Sequence, residues 1–179
     1  MTTSALIIID VQTGLTGNLP GGGAAFLSRL NSLVQRARDA EVPVIFVQHN
    51  GEAGHPLEKS ASGWQIHPAT GFLPGDMAVE KHDCDAFQNT DLQERLMTLG
   101  ARDLVLAGMM TEYCVDTTCR RAYSLGYGVT LVSNGHATFS RDDLSAEQII
   151  THHNSVLGSS FATLSSADLT DFQSSEALA

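Results

Sequence analysis

The chain is short of positive charge, of cysteine and of long apolar runs. Ten Lys and Arg stand against twenty Asp and Glu, a formal net charge of −10. A surface of that sign does not attract nucleic-acid phosphates or an anionic membrane. It also suits a strongly anionic substrate poorly, unless the pocket is locally basic. The three cysteines, Cys84, Cys114 and Cys119, make no even disulfide framework and have no metal-knuckle spacing. Thiols so few and unpaired fit a reducing compartment, so the expected location is cytoplasmic. No apolar run approaches the roughly 18 to 20 residues of a membrane span. The N-terminus has no basic segment ahead of its apolar run, and that run is too short for a signal peptide. The glycine-rich stretch GNLPGGG, residues 17–23, matches neither GxGxxG nor GxxxxGK[ST], so it reads as a flexible loop and not as a phosphate cradle.

What is present is an ordinary globular composition. The chain has 179 residues, of which 42% are hydrophobic and 17% charged, enough for a sizeable core. The reading is one domain over residues 1–179, without repeat or linker, fraying from about Thr170. SALIIID, residues 4–10, is a near-continuous apolar run, which suits a central parallel strand covered on both faces. Phe26, Leu30, Leu33, Val34 and Ala37 recur at helical spacing within residues 24–40. VPVIFV (42–47) and MAVEK (77–81) read as strands two and three. Between them, residues 50–76 form a long loop, and such loops are usually lids or pocket walls. Thr90 with Gln93 reads as a capping box opening a helix to about Leu99. Residues 103–107 are strand four, 111–125 a helix, 128–132 strand five and 162–164 a short strand six. Ser145 with Gln148 is a second capping box, for a helix ending near Gly158. Strand and helix alternate throughout, which argues a parallel sheet with helices on both faces.

The chemistry concentrates in AGMMTEYCVDTTC, residues 107–119. Gly108 reads as a turn glycine after strand four and Thr111 as the helix cap. Cys114 then falls in the first helical turn, where unpaired N–H groups and the helix dipole favour a thiolate and an oxyanion. The expectation is a nucleophile with a depressed pKa that alkylates faster than Cys84 or Cys119. Cys119 lies about 140° further round the helix and reads as core. ALIIIDVQ places Asp10 at the end of strand one, and MAVEK places Lys81 at the end of strand three.

This order of Asp, Lys and Cys resembles the isochorismatase-like cysteine hydrolases. Further pieces carry the resemblance: WQIHP, the AF-x-x-TDL stretch at 86–92, and GYGVTLVSNGHAT at 126–138. It covers residues from about 5 to about 164. It implies an α/β fold of three layers, α/β/α, with a six-stranded parallel sheet in the order 3-2-1-4-5-6. Strands one and four are then neighbours at the switch point, where open α/β sheets hold their sites. It implies a catalytic triad of Asp10, Lys81 and Cys114, acting on a small-molecule amide or ureide C–N bond through a thioester. It also implies a cis peptide at Met109–Met110, an oxyanion hole from the Met110 and Cys114 backbone N–H groups, and a homo-oligomer, dimer or tetramer.

Gln12, His49, Trp64 and Tyr113 are candidate pocket residues, with Gln12 placed to orient Asp10. No cofactor is expected, and no metal. Nicotinamidases of the family carry Asp-x-His where this chain reads Val47-Gln48-His49, and His55 and His67 have no ligand spacing. Asn134 stands where many relatives have Asp. The alternatives are a vinyl-ether-cleaving isochorismatase, which typically lacks the cysteine, a metal-assisted nicotinamidase-like amidase, and a binding module that kept the fold.

Overall fold

Six parallel strands make one sheet in a computed structural model of the chain, which describes residues 4–172. They are β1 (Ser4–Ile9), β2 (Val44–His49), β3 (Met77–Lys81), β4 (Asp103–Met109), β5 (Gly128–Ala137) and β6 (Thr163–Ser165). Their order is β3-β2-β1-β4-β5-β6, as the resemblance implies. The helices between and around them are α1 (Thr13–Thr16), α2 (Ala24–Asp39), α3 (Leu92–Thr98), α4 (Asp116–Ser124) and α5 (Ala146–Ser160).

The apolar run of β1 is buried on both faces because successive strand side chains point to opposite sides. Leu6 and Ile8 join one core with Phe26, Leu30, Leu33 and Val34 of α2. Ala5, Ile7 and Ile9 join the other, with Leu92 and Leu96 of α3 and Cys119 and Ala122 of α4. A strand with only one covered face would have alternated. The helical spacing read in residues 24–40 is therefore the seam of α2 against the sheet.

Gly108 is where β4 departs from the reading of a turn. It lies inside the strand, paired with Ile9, at a φ of +135° that side chains rarely adopt. A Cβ there would run into the Ile9 carbonyl oxygen. The glycine thus lets β4 close against β1 one residue before Asp10. Gly108→Ala is expected to cost about 3 kcal/mol or more, from backbone strain plus the clash, read as a fall in the urea midpoint. A midpoint like that of the parent chain would contradict it.

Other expectations shift at element ends. β5 runs on to Ala137, past the turn-like Ser133-Asn134-Gly135. β4 advances from Leu106 to Gly108 while β5 advances from Leu131 to His136, so the register breaks and recovers. β2 starts at Val44, after Pro43, which has no N–H for the ladder. The Thr90–Gln93 capping box does not form. α3 opens at Leu92 behind Asp91, and the Thr90 hydroxyl instead donates to the Ala86 carbonyl in the preceding turn. The Ser145–Gln148 box does form, with both reciprocal bonds. Most of the tail expected to fray lies outside the described residues. Thr170 and Phe172 are buried, and Arg36 donates to the Thr170 carbonyl. Residues 173–179 lie outside the described part of the chain. The long loop 50–76 contains two short 3-10 turns, at Ser62–Trp64 and Pro68–Thr70, and a bridge from Ile66 to Gln12.

Candidate active site

The carboxyl ends of β1, β2 and β4 open onto a cavity of about 290 Å³. Asp10, His49, Met110, Tyr113 and Cys114 line it, five of the residues singled out in the sequence. Asp10 follows β1 directly and takes a φ of +50°, a left-handed geometry that Asp tolerates better than most residues. Its backbone N–H donates to the Val47 carbonyl of β2, fixing the turn. Cys114 sits in a π-helical turn, Thr111–Val115, which leads into α4. Such turns are frequent at functional sites. Thr111 opens this turn but does not cap it through its side chain; the N-cap position is Met110. The Met109–Met110 peptide bond is cis.

Lys81 ties the three groups together from beneath. Its ammonium, 1% exposed, lies 2.6 Å from Asp10 Oδ2 and donates to Cys114 Sγ at 3.2 Å and to the Asp83 carbonyl at 3.0 Å. It is also 3.4 Å from His49 Nδ1. Burial pulls the Lys81 pKa down, but the paired Asp10 carboxylate leads the effects that outweigh burial and leave it raised, so the ammonium persists. Burial, and next the Lys81 charge, lower the pKa of His49. A neutral His49 facing an ammonium accepts at Nδ1 and carries its own proton on Nε2. The other Asp10 oxygen, Oδ1, is buried with no hydrogen-bond partner among the described residues. A carboxylate held by one cation, with one oxygen unpaired, has an acceptor to spare.

The expected depression of the Cys114 pKa is not what this geometry produces. Burial pushes the thiol up, the Asp10 carboxylate pushes it further, and Lys81 offsets only part of this. Cys114 therefore rests as a thiol. Cys119 is likewise pushed up to about 12, by burial and then by Asp116. Cys84, by contrast, is exposed. The expected order of iodoacetamide labelling at pH 7 is accordingly Cys84, then Cys114, then Cys119, with no thiolate absorbance band from Cys114. Mass-spectrometric peptide mapping reads the order, and Cys114 labelling first would contradict a resting thiol.

Two anticipated pocket residues lie elsewhere. The hydrogen bonds of the Gln12 side chain go to backbone groups and not to Asp10. Its amide donates to the His49 and Trp64 carbonyls and accepts from the His49 N–H, pinning the ends of β1 and β2 to the long loop. Trp64 spends its indole N–H on Asn50 Oδ1 and is not among the residues lining the cavity. Asn134 is remote from this chemistry: its side chain accepts from the Ala167 N–H. Three lining residues, Leu15, Cys84 and Arg141, lie outside every stretch read as pocket wall, and His55 and Leu57 come within the loop 50–76 that was so read. Cys84 follows Lys81 by three residues, the one local signal that was available. Arg141 lies over the Tyr113 ring at 5.0 Å and donates through Nε to Glu112 at 2.9 Å, a fold-level juxtaposition without any sequence signal.

A metal does not fit these residues. Among the described residues no three His, Cys, Asp or Glu side chains converge as a ligand set. The Nδ1 of His55 accepts from the Leu57 N–H, and that of His49 faces an ammonium. Two residues before His49 stands buried Val47 in place of a carboxylate.

A model of the isochorismatase domain matches residues 4–164. The chain belongs to the isochorismatase family. Within that family of hydrolases it is similar to a streptothricin hydrolase of Streptomyces noursei, 33% identical over 137 residues, which are 75% of this chain and 50% of the relative. The chain thus spans half the length of that relative. It is also similar to nicotinamidase 3 of Arabidopsis thaliana, 28% identical over 78% of this chain and 75% of the plant protein. Among solved structures, an isochorismatase from Pseudomonas putida KT2440 superposes with a TM-score of 0.86 at 32% identity, covering 93% of this chain and 89% of the other. No helix of this isochorismatase-family protein, among the described residues, is long and apolar enough to cross a membrane.

Proposed function

We propose that this protein is a metal-independent cysteine amidohydrolase acting on a small amide or ureide. The observation that carries the proposal is the buried ammonium of Lys81 bonded to both Asp10 and Cys114 at the floor of one cavity. Nucleophile, proton acceptor and a fixed positive charge are the parts that thioester chemistry needs.

In this reading Asp10 Oδ1 takes the Cys114 proton as the sulfur attacks the substrate carbonyl carbon. The carbonyl π electrons move onto oxygen, and the oxyanion is met by the backbone N–H groups of Met110 and Cys114. Collapse of the tetrahedral intermediate breaks the C–N bond, and Asp10 returns the proton to the leaving nitrogen. Water then enters, gives a proton to Asp10 and attacks the thioester. The acid leaves, and the sulfur regains its proton. Lys81 keeps its charge throughout and steadies both anions. A resting thiol suits this scheme, since the base acts only when the carbonyl is in place. The volume of about 290 Å³ favours a small substrate, with Leu15, Leu57 and Met110 as apolar wall and Asp10, His49, Tyr113 and Arg141 among the groups that can orient it.

Two relatives named for hydrolysing streptothricin and nicotinamide support amide cleavage over vinyl-ether cleavage, as does the presence of the cysteine itself. The experiment is an ammonia-release screen over primary amides and ureides with the parent protein beside Cys114→Ala. Release by the parent alone supports the reading. Release by both, or by neither across the panel, counts against it. Activity is also expected to survive dialysis against EDTA unchanged within about twofold, because no ligand set of about three residues converges here. Loss that zinc, iron or manganese restores would move His49 from wall to ligand.

A further inference from the structure

Behind the nucleophile turn lies a buried polar chain that no step above uses. His136 of β5 is 3% exposed and both ring nitrogens are bonded. Nε2 lies 3.0 Å from Asn154 Oδ1 on α5, and Nδ1 lies 2.9 Å from the Thr111 hydroxyl. The directions of these bonds follow from the far end. Asn154 donates its Nδ2 to the Ser133 carbonyl, which leaves Oδ1 facing His136 as an acceptor. Nε2 therefore carries a hydrogen. Burial lowers the His136 pKa, so the ring is neutral and Nδ1 accepts the Thr111 O–H. Every member has one role, and a fully satisfied buried network holds its members rigidly.

The placement is what gives the chain a use. Thr111 is fully buried and is the first residue of the π-helical turn that holds Tyr113 and Cys114, and it directly follows Met110. The register break in β5 brings His136 opposite Gly108, three residues before that turn begins. A strand that kept its register would put the imidazole elsewhere.

We propose that His136 is a positioning residue: through Thr111 it fixes the turn that aims the Cys114 sulfur and the Met110 N–H into the cavity, with Asn154 fixing the imidazole. This rests on Cys114 being the nucleophile, and the test is arranged so that the two can fail separately. The variants are Thr111→Val, which removes the hydroxyl at nearly the same shape, Thr111→Ser, which restores it, and His136→Ala. The first readout needs no substrate: the rate of Cys114 alkylation by iodoacetamide relative to Cys84 in the same molecule. The second is kcat and KM on whichever amide the ammonia screen returns.

Thr111→Val and His136→Ala are expected to change the Cys114-to-Cys84 alkylation ratio at least about threefold. They should also lower kcat about 10- to 100-fold with KM changed little, as loss of a group that orients catalytic atoms does. Thr111→Ser is expected to recover most of kcat. Far-ultraviolet circular dichroism and thermal melts separate loss of aim from loss of fold. If Thr111→Val keeps both the alkylation ratio and kcat of the parent, or if Thr111→Ser fares as badly as Thr111→Val, the positioning role is wrong. If Cys114→Ala stays active, the nucleophile assignment fails instead, and the alkylation ratio still reports on the turn.

Discussion

Cys114→Ala is expected to lower kcat by at least about 10³-fold on any amide the parent hydrolyses, because removing a covalent nucleophile leaves only binding and oxyanion stabilisation. The argument begins at burial. Cys114 shares its cavity wall with the ion-paired Asp10 carboxylate and the His49 imidazole, and the Lys81 ammonium is bonded to both Asp10 and Cys114. The Lys81 ammonium is 1% exposed and has no free electron pair while it stays protonated. Cys84 is a second thiol on the wall, but the Lys81 ammonium that is paired with Asp10 donates to the sulfur of Cys114. Water activated by Asp10 alone would remain, without the sulfur's nucleophilicity. Cys114→Ser is expected to be nearly as poor, since Asp10 would have to deprotonate a far less acidic hydroxyl. Stability should move little in both, because the replaced side chain is small and partly open to the cavity. Full activity in Cys114→Ala would remove the thioester from the mechanism.

Lys81→Met is expected to cost about 3–5 kcal/mol of stability, because it strands the Asp10 carboxylate at the bottom of the cavity. The side chains of this pair are 0% and 2% exposed, so solvent does not screen the loss. For a chain of this length that is a fall in Tm of roughly 10 °C. Activity should fall with it, by about 10²-fold or more, since the sulfur and the Asp10 oxygen lose the cation between them. Stability and chemistry are separable. The double variant Asp10→Asn, Lys81→Met removes both charges, so it should regain a good part of the lost stability while remaining inactive. Equal stability of Lys81→Met and the parent would mean that the pair is solvated and the cavity floor is wet. An active double variant would exclude both residues from the chemistry.

The sequence was most legible where one physical cause dominated. β1 announced itself because five residues in a row, Ala5 to Ile9, are buried on a sheet covered twice. The helix at 24–40 did so because its apolar stripe has one period. Asp10 and Lys81 could be placed because they close such strands, and topology then brought them to Cys114. Legibility ended where two causes competed. Thr90 and Ser145 look alike in sequence, yet only Ser145 forms the reciprocal capping box. The chain before Thr90 offers its hydroxyl a carbonyl of the preceding turn, which local spacing does not encode. Gly108 looked like a turn because glycine usually marks one, whereas here it answers to the neighbouring strand. Ser133-Asn134-Gly135 looked like the end of a strand and is instead its irregular middle.

The cavity walls were the least legible part. Arg141, Leu15 and Leu57 reach the site from three separate segments, and their roles depend on how those segments fold back over the sheet. The Cys114 pKa failed for the same reason. A helix start and a nearby lysine both lower a thiol's pKa, and both were visible. The burial that overrides them is a property of the assembled fold.

The thioester itself is the most direct thing to measure. Parent protein mixed with the amide found in the screen, quenched in acid within the first turnover, is expected to carry an added mass equal to the substrate's acyl group. Peptide mapping should place it on Cys114, and Cys114→Ala treated alike should carry none. Steady turnover with no adduct on Cys114 at any quench time, retained in Cys114→Ala, would contradict the account.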